Sequence, residues 1–379
     1  MRILLIGEYS RLHNSLQEGL LQLGHDVILT SSGDSFKKFP SNYLYAPKIC
    51  NLWFFAKVRN VFLKLLHFDL EEIERAIRFY LLLKYLKSFD VVQFINERPI
   101  QTLPFLELFL IKKIFKYNKK VFLLSSGVDK INVDFIIKNK NFKSILQPYF
   151  QDKSLKKHYD YVFTYLKHNH QKTHQFVYDH CRGIIASDMD YVLPLYGNKK
   201  FLGLIANPVN IDKIVAKDLI INEKIVVFLG INRGNYHQKG IQYFEKALAE
   251  LKDKYSKKIE IVVAENLAYQ EYILQYDRCH ILLDQVYACD QGYNALEAMA
   301  QGKVVFTGAE TEFENQYQLT EKVAINAKPD VNYLIENLTF LIENPAEILK
   351  ISNNAKAFLQ KEHHYIEIAK KYVYTWQNS

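Results

Sequence analysis

The 379-residue chain has only four cysteines, Cys50, Cys181, Cys279 and Cys289, and they are scattered. They show neither metal-ligand spacing nor a disulfide framework, so a reducing, cytoplasmic setting is expected. A charged leader with a cleavage site is missing too: Met1 runs straight into the strand-like RILLI of residues 2–6, and no secretory signal is expected. No uncharged apolar run reaches the roughly 18–20 residues that a spanning helix needs. The first strand is not followed by a complete G-x-G-x-x-G, which excludes the usual dinucleotide site there.

What is present describes a globular protein, with 49% hydrophobic and 24% charged residues. Its length suits two domains, each able to bury its own core. The 26 Tyr and 25 Phe, like the abundant Lys, Ile and Asn, fit an AT-rich coding sequence and carry no functional reading. Net charge is +8, unevenly spread: residues 1–205 hold 30 basic and 18 acidic side chains, leaving 19 basic and 23 acidic beyond. A positive first half suits an anionic surface, and a generic lysine-rich surface is the plainer alternative.

The stretch 281–308, ILLDQVYACDQGYNALEAMAQGKVVFTG, reads as strand, loop, helix and strand. Ile281 to Leu283 is an apolar run ending at Asp284, and a polar loop follows to Gly292. Asn294 to Ala300 are mostly good helix formers, stopped by Gly302, a common helix C-cap. Lys303 to Thr307 resumes a buried strand. A helix whose N-terminus faces the loop after a strand is suited to anions, because its N–H groups and dipole favour negative charge. Gly292 would let a phosphate approach the backbone. Glu297, one turn in, could accept two hydroxyl hydrogen bonds, such as a ribose offers. Residues of this kind also build plain α/β core, and the pattern alone leaves both readings open.

The run from Gly292 to Val305, GYNALEAMAQGKVV, resembles the donor-site signature of family-4 retaining glycosyltransferases of the GT-B fold. The resemblance is strong over residues 224–308 and looser elsewhere. It implies an α/β architecture of two Rossmann-like, doubly wound domains facing a cleft. It also implies transfer of a sugar, with retention, from a nucleotide-diphosphate sugar, with no metal or other cofactor. Glu297 would hold the ribose, and Gly292, Tyr293, Asn294 and Leu296 would belong to the donor site. Family members usually have a second glutamate eight positions earlier, where this chain has Cys289, with Asp284, Gln285 and Asp290 nearby. The departure is expected to spare nucleotide binding and to alter the sugar contacts.

In the first half, the loop Gly7 to His13 follows the first strand, where ligands bind in doubly wound sheets. The resemblance places it near the donor phosphates, with Gly7 as a contact. Asn96, Glu97 and Arg98 follow the strand Val91 to Ile95, and Ser125 to Asp129 follow Lys120 to Leu124. Glu97 and Asp129 are the catalytic candidates, for acceptor contact or proton transfer; a solvated loop carboxylate is the plainer reading of each. Residues 52–68 and 105–120 mix bulky apolar side chains with lysine and arginine, which suits a membrane interface. Packing one face on the sheet is the alternative. His158, His168, His170, His174 and His180 read as surface histidines rather than a metal site. Asp188, Met189 and Asp190 form a D-x-D tripeptide, the metal motif of the other glycosyltransferase architecture, GT-A; without matching surroundings it reads as a loop.

The turn-rich residues 206–212 read as a linker. They divide an acceptor-binding domain, 1–206, from a nucleotide-sugar domain, 207–360, with a helix at 361–379 crossing back to the first. After the strand Lys224 to Gly230, Arg233 and Lys239 flank a loop and can grip two phosphates, Arg through its fork and Lys as a point charge. Asn266 and Tyr269 follow the next strand, where the resemblance puts the nucleobase. The expected function is a hexosyltransferase building a polysaccharide or lipid-linked glycan at the inner face of a membrane. Its partners would be a nucleotide sugar and a glycan acceptor, with no nucleic acid. A sugar-nucleotide 2-epimerase is an alternative, and so is a non-catalytic sugar-nucleotide-binding relative, which Cys289 keeps open.

Overall fold

The computed structural model describes residues 1–34, 38–50, 52, 59, 69–215, 219–265 and 269–379. Its apolar runs become the strands of two parallel sheets, one in each of two compact units.

The first unit comprises residues 1–135, 161–208 and 365–379. Its strands are β1 (Arg2–Ile6), β2 (Asp26–Ser31), β3 (Tyr43–Leu44), β4 (Val91–Phe94), β5 (Val121–Ser125), β6 (Ile184–Ala186) and β7 (Phe201–Leu204). They lie in the order β3-β2-β1-β4-β5-β6-β7. β4 and β5 are buried along their whole length, and β1 from its second residue. Strands of a parallel sheet covered on both faces read as unbroken apolar runs, which is how the sequence shows them. From β1 the chain builds out to β3 at one edge, then returns to place β4 on the other side of β1. Open sheets bind ligands at such a reversal, beyond the C-terminal strand ends.

Gly7 closes β1 with φ +88°, and a Cβ there would lie 2.2 Å from Ile95 Cγ2, so glycine is required by packing alone. The helix Tyr365–Gln377 also belongs to this unit. It lies against the helix Leu12–Gln22 so closely that a Cβ on Gly19 would meet the Tyr365 carbonyl oxygen at 2.4 Å. Its apolar stripe, Tyr365, Ile368, Ala369, Tyr372 and Trp376, is buried. Trp376 Nε1 donates to Gln93 Oε1 on β4 at 3.0 Å, satisfying the indole in the interior.

Of the two stretches expected at a membrane, 52–68 lies outside the described residues except for Leu52 and Arg59. The second forms the helix Pro104–Tyr117, which buries Leu110, Ile111 and Ile114. Its other face leaves Phe105 and Phe109 exposed, and the helix Leu70–Leu82 exposes Ile77, Tyr80 and Leu81. No helix of the described residues is long and apolar enough to cross a membrane.

The second unit comprises residues 136–160 and 209–364. Its strands are β8 (Ile225–Ile231), β9 (Ile259–Glu265), β10 (Ile281–Leu283), β11 (Val304–Thr307) and β12 (Ile325–Asn326), in the order β12-β11-β10-β8-β9. Val227, Leu229, Phe244, Leu248, Phe306 and Leu338 are among the buried core. Here the order reverses between β8 and β10, and the loops 232–240 and 284–292 leave from that pair.

Residues 136–160 pack with this unit, although the sequence reading included them in 1–206. Lys143 Nζ donates to Glu310 Oε1 at 2.7 Å, to Asn326 Oδ1 at 3.1 Å and to the Ala327 carbonyl at 2.7 Å. Leu146 and Tyr159 are fully buried. This Lys- and Asn-rich segment has no periodic apolar pattern to reveal the attachment, which depends on one lysine and a few isolated apolar side chains.

Candidate functional site

In the second unit, the loops of the β8/β10 reversal converge on Asp284. Its Oδ1 accepts from Lys239 Nζ at 2.7 Å and from Asn294 Nδ2 at 3.3 Å, and its Oδ2 accepts from Thr307 Oγ1 at 3.2 Å. This buried carboxylate therefore ties the loop after β8, the end of β11 and the start of the helix Tyr293–Ala300 into one cluster. That helix has no side-chain cap at Gly292. Gly292 has ordinary φ, −72°, and a Cβ there would meet nothing nearer than Gln285 Nε2 at 3.6 Å. Unlike Gly7, it is not required by the protein's own packing, and it puts no capping side chain over the helix end, the kind of position that suits an anion. Along this helix Leu296 is fully buried and Tyr293 nearly so, while Asn294 is exposed and Glu297 half-buried. Leu296 can offer a ligand only its backbone.

Arg233 lies across from Glu265, the last residue of β9, in a two-pronged ion pair with both contacts at 2.6 Å. Each partner stabilises the other's charge, so the Glu265 carboxyl is held below and the Arg233 guanidinium above its ordinary range. Both cations assigned to the phosphates thus rest on carboxylates: Arg233 on a half-exposed one and Lys239 on a buried one. Asn266 lies outside the described residues, and Tyr269 opens the helix Tyr269–Asp277. Cys289 is buried, its Sγ 3.9 Å from the Lys143 carbonyl. Gln291 Nε2 donates to the Gly308 carbonyl at 2.7 Å, which fixes the loop against the end of β11.

The first unit gathers carboxylates instead, at the ends of β1, β4 and β5. Glu97 and Asp129 are each only 2% exposed. Glu97 Oε1 accepts the Lys130 N–H at 3.1 Å, and its Oε2 accepts from His174 Nδ1 at 2.6 Å. Asp129 Oδ2 accepts from Ser125 Oγ at 2.6 Å and its Oδ1 from the Asn132 N–H at 2.7 Å. Burial first, and the nearby Glu97 charge second, push the Asp129 carboxyl up to about 6. Neither residue is the solvated loop carboxylate that was the plainer expectation. Glu8, after β1, is buried with Oε2 bonded to the backbone and side-chain N–H groups of Asn14 and Oε1 without a partner. Burial pushes its carboxyl up to about 8, so it is mostly protonated at neutral pH. Gly7 itself is enclosed, its carbonyl bonded to His13 Nδ1 at 2.8 Å.

Two histidines differ from the surface reading. His170 is buried, which lowers its pKa to about 4, and His174 is held by Glu97. No group of three or more His, Cys, Asp or Glu that could hold a metal occurs among the described residues. Asp188 accepts the Asp190 N–H at 3.0 Å and so caps the helix Met189–Leu195, which gives the D-x-D tripeptide a structural cause. The sequence reading left out Glu265, Thr307, Glu8 and His174 as site residues and named Asp284 only as a neighbour. Asp284 was findable as an acid at the C-terminal end of a buried strand; Glu265 and His174 acquire meaning only from partners 32 and 77 residues away.

Residues 235–373 match the family model described as glycosyl transferase-like. No curated protein sequence matches the chain. Among solved structures, sucrose-phosphate synthase from Thermosynechococcus elongatus is similar, with a TM-score of 0.60 at 14% identity over 100% of this chain and 98% of that one. Anabaena HepE in complex with UDP and glucose gives 0.58 at 11% identity over 100% of both chains. UDP-GlcNAc 2-epimerase from Neisseria meningitidis, bound to UDP-GlcNAc, gives 0.53 at 13% identity, again over 100% of both. The fold is GT-B, with two Rossmann-like domains, and the glycosyl transferase-like segment covers most of the second.

Proposed function

We propose that this GT-B chain is a glycosyltransferase that takes a sugar from a nucleotide-diphosphate donor bound in its second unit. The observation that carries the reading is the N-terminus of the helix Tyr293–Ala300, which has no capping side chain at Gly292, beside Lys239 and Asn294 on one buried aspartate. A diphosphate there meets a helix dipole and a positioned ammonium, and Glu297, one turn along, is placed for the ribose hydroxyls. Stabilising charge on the departing diphosphate is the main electrostatic task of such a transfer, and Arg233, Lys239 and the helix end supply it without a metal in this proposal. HepE, captured with UDP and glucose, supports a sugar nucleotide as the ligand class. Retention follows from the family-4 resemblance.

The acceptor is proposed to be a polysaccharide or lipid-linked glycan, reached at the inner leaflet of a membrane. Supporting this are the exposed Ile77, Tyr80, Leu81, Phe105 and Phe109 on neighbouring helices of the first unit. Exposed Lys84, Lys112 and Lys116 accompany them and suit anionic lipid. A second reading, a sugar-nucleotide 2-epimerase acting without an acceptor, is favoured by the likeness to the Neisseria enzyme and by the buried acids of the first unit.

Saturation-transfer NMR against UDP-, GDP-, ADP- and CMP-sugars tests the donor site. One diphosphate sugar should bind selectively, and Glu297→Ala and Arg233→Ala should each abolish the signal. Binding that neither substitution changes would remove the donor site from this helix. Conversion of the bound sugar to its 2-epimer in the absence of any acceptor would favour the second reading.

A further inference from the structure

The two carboxylates expected to receive an acceptor are already committed: Glu97 and Asp129 are buried and each accepts hydrogen bonds on both oxygens. What Glu97 does instead is fix a histidine. Because a carboxylate can only accept, the 2.6 Å contact puts a proton on His174 Nδ1, so that in the neutral imidazole Nε2 carries the lone pair. No described residue bonds Nε2, and the side chain is 12% exposed, against 2% for Glu97. The imidazole lies 4.1 Å from the Tyr178 ring, whose buried hydroxyl has no partner. Charged groups around it are Glu97 from the loop after β4 and Asp129 from the loop after β5; His170, which Arg98 faces, lies one turn earlier on the same helix. An oriented base thus stands beside an unused hydroxyl donor, next to strand ends where this fold takes ligands.

We propose that His174, oriented by Glu97, is the group that meets the acceptor, with Nε2 accepting a hydrogen bond from a sugar hydroxyl and Tyr178 donating one to the same acceptor. The inference rests on the glycosyltransferase reading. As the acceptor oxygen bonds to the anomeric carbon of the donor on the face that the diphosphate leaves, as retention requires, the bond from that carbon to the diphosphate oxygen breaks and its electron pair leaves with the diphosphate. The hydroxyl proton passes to Nε2, making imidazolium beside the Glu97 carboxylate, and is then lost to water or to the diphosphate. Glu97 and Asp129 are positioning residues in this scheme, and the ligand class is a neutral, hydroxyl-rich carbohydrate.

Two measurements on the full chain decide it. Two-bond ¹H–¹⁵N NMR of histidine-labelled protein at pH 7.5, with His174 assigned through His174→Gln, should show the neutral Nδ1–H tautomer; the Nε2–H tautomer would overturn the proposal. Transfer from UDP-glucose or UDP-GlcNAc to nitrophenyl glycosides should fall about 100-fold or more in kcat/KM for His174→Ala, as loss of a general base does. UDP affinity by calorimetry should stay within about twofold of wild type, and added imidazole should restore part of the rate. Transfer within about threefold of wild type, or a loss that imidazole does not relieve, would overturn it while UDP binding left the wider reading standing. If wild type binds none of the UDP-, GDP-, ADP- and CMP-sugars and transfers from none of them, the wider reading and this one fall together.

Discussion

The strand ends of the two units are built alike and furnished in opposite ways. In the second unit, two cations that follow β8 rest on carboxylates, Arg233 on Glu265 and Lys239 on Asp284. In the first unit, carboxyl groups sit buried among backbone N–H groups, a serine and a histidine. The same topological reversal therefore carries cation–carboxylate pairs in one place and shielded carboxyl groups in the other. Topology sets where a ligand sits, and the residues placed there decide its chemistry.

The sharpest way to break the comparison is to remove the second unit's buried pair. Lys239→Ala takes away a charge-assisted phosphate contact and leaves Asp284 buried without its ammonium, so UDP should bind about 10- to 100-fold more weakly by calorimetry. Affinity unchanged within about twofold would show that the loop after β8 does not grip phosphate. The first unit should answer to pH instead. Glu8 has its carboxyl raised from 4.5 to about 8, so the folded state holds a proton that the unfolded chain gives up at lower pH. Its contribution is intact below about pH 4.5 and is lost as pH rises through about 8. Stability measured by urea unfolding should drop by about 1–3 kcal/mol between pH 6 and 8, at most about 1.4 kcal/mol per pH unit, and Glu8→Gln should flatten the drop. An identical slope in the variant would mean that another group is responsible. The smallest effect belongs to the exposed pair: Glu265→Gln frees the Arg233 fork from its competitor, and UDP affinity should rise about two- to fivefold, as befits a surface ion pair. Weaker binding would assign Glu265 to the ligand instead.

Much of the fold was legible because parallel strands buried on both faces appear as unbroken apolar runs. RILLI, VVQF, VFLLS and IVVFLGI all occupy strands where those runs stand. The helix at 293–300 was readable from its formers and from Gly302. The loop cations could be named from their place after a strand, whereas their resting partners could not: Glu265 ends one strand and Asp284 another, and both pairings depend on three-dimensional proximity. His174 was misread for the same reason. A helix bearing His168, His170, His174 and His180 looks like a polar surface helix, and nothing local shows that one imidazole meets a carboxylate from the loop after β4. Residues 136–160 were assigned by position in the chain, and position says nothing about which core a lysine reaches.

That segment has a consequence for dissecting the molecule. The chain passes from one unit to the other at 135/136, 160/161, 208/209 and 364/365, so neither unit is a continuous stretch. A gene cut at 208 would strand Lys143, Leu146 and Tyr159 with the wrong half, leaving Glu310, Asn326 and the Ala327 carbonyl without their cation. The same cut would deprive the first unit of Trp376 and the helix that lies on Leu12–Gln22. Isolated halves should therefore be poor folders, whereas a graft of residues 136–160 onto 209–364 through a short linker would hold every residue of the second unit.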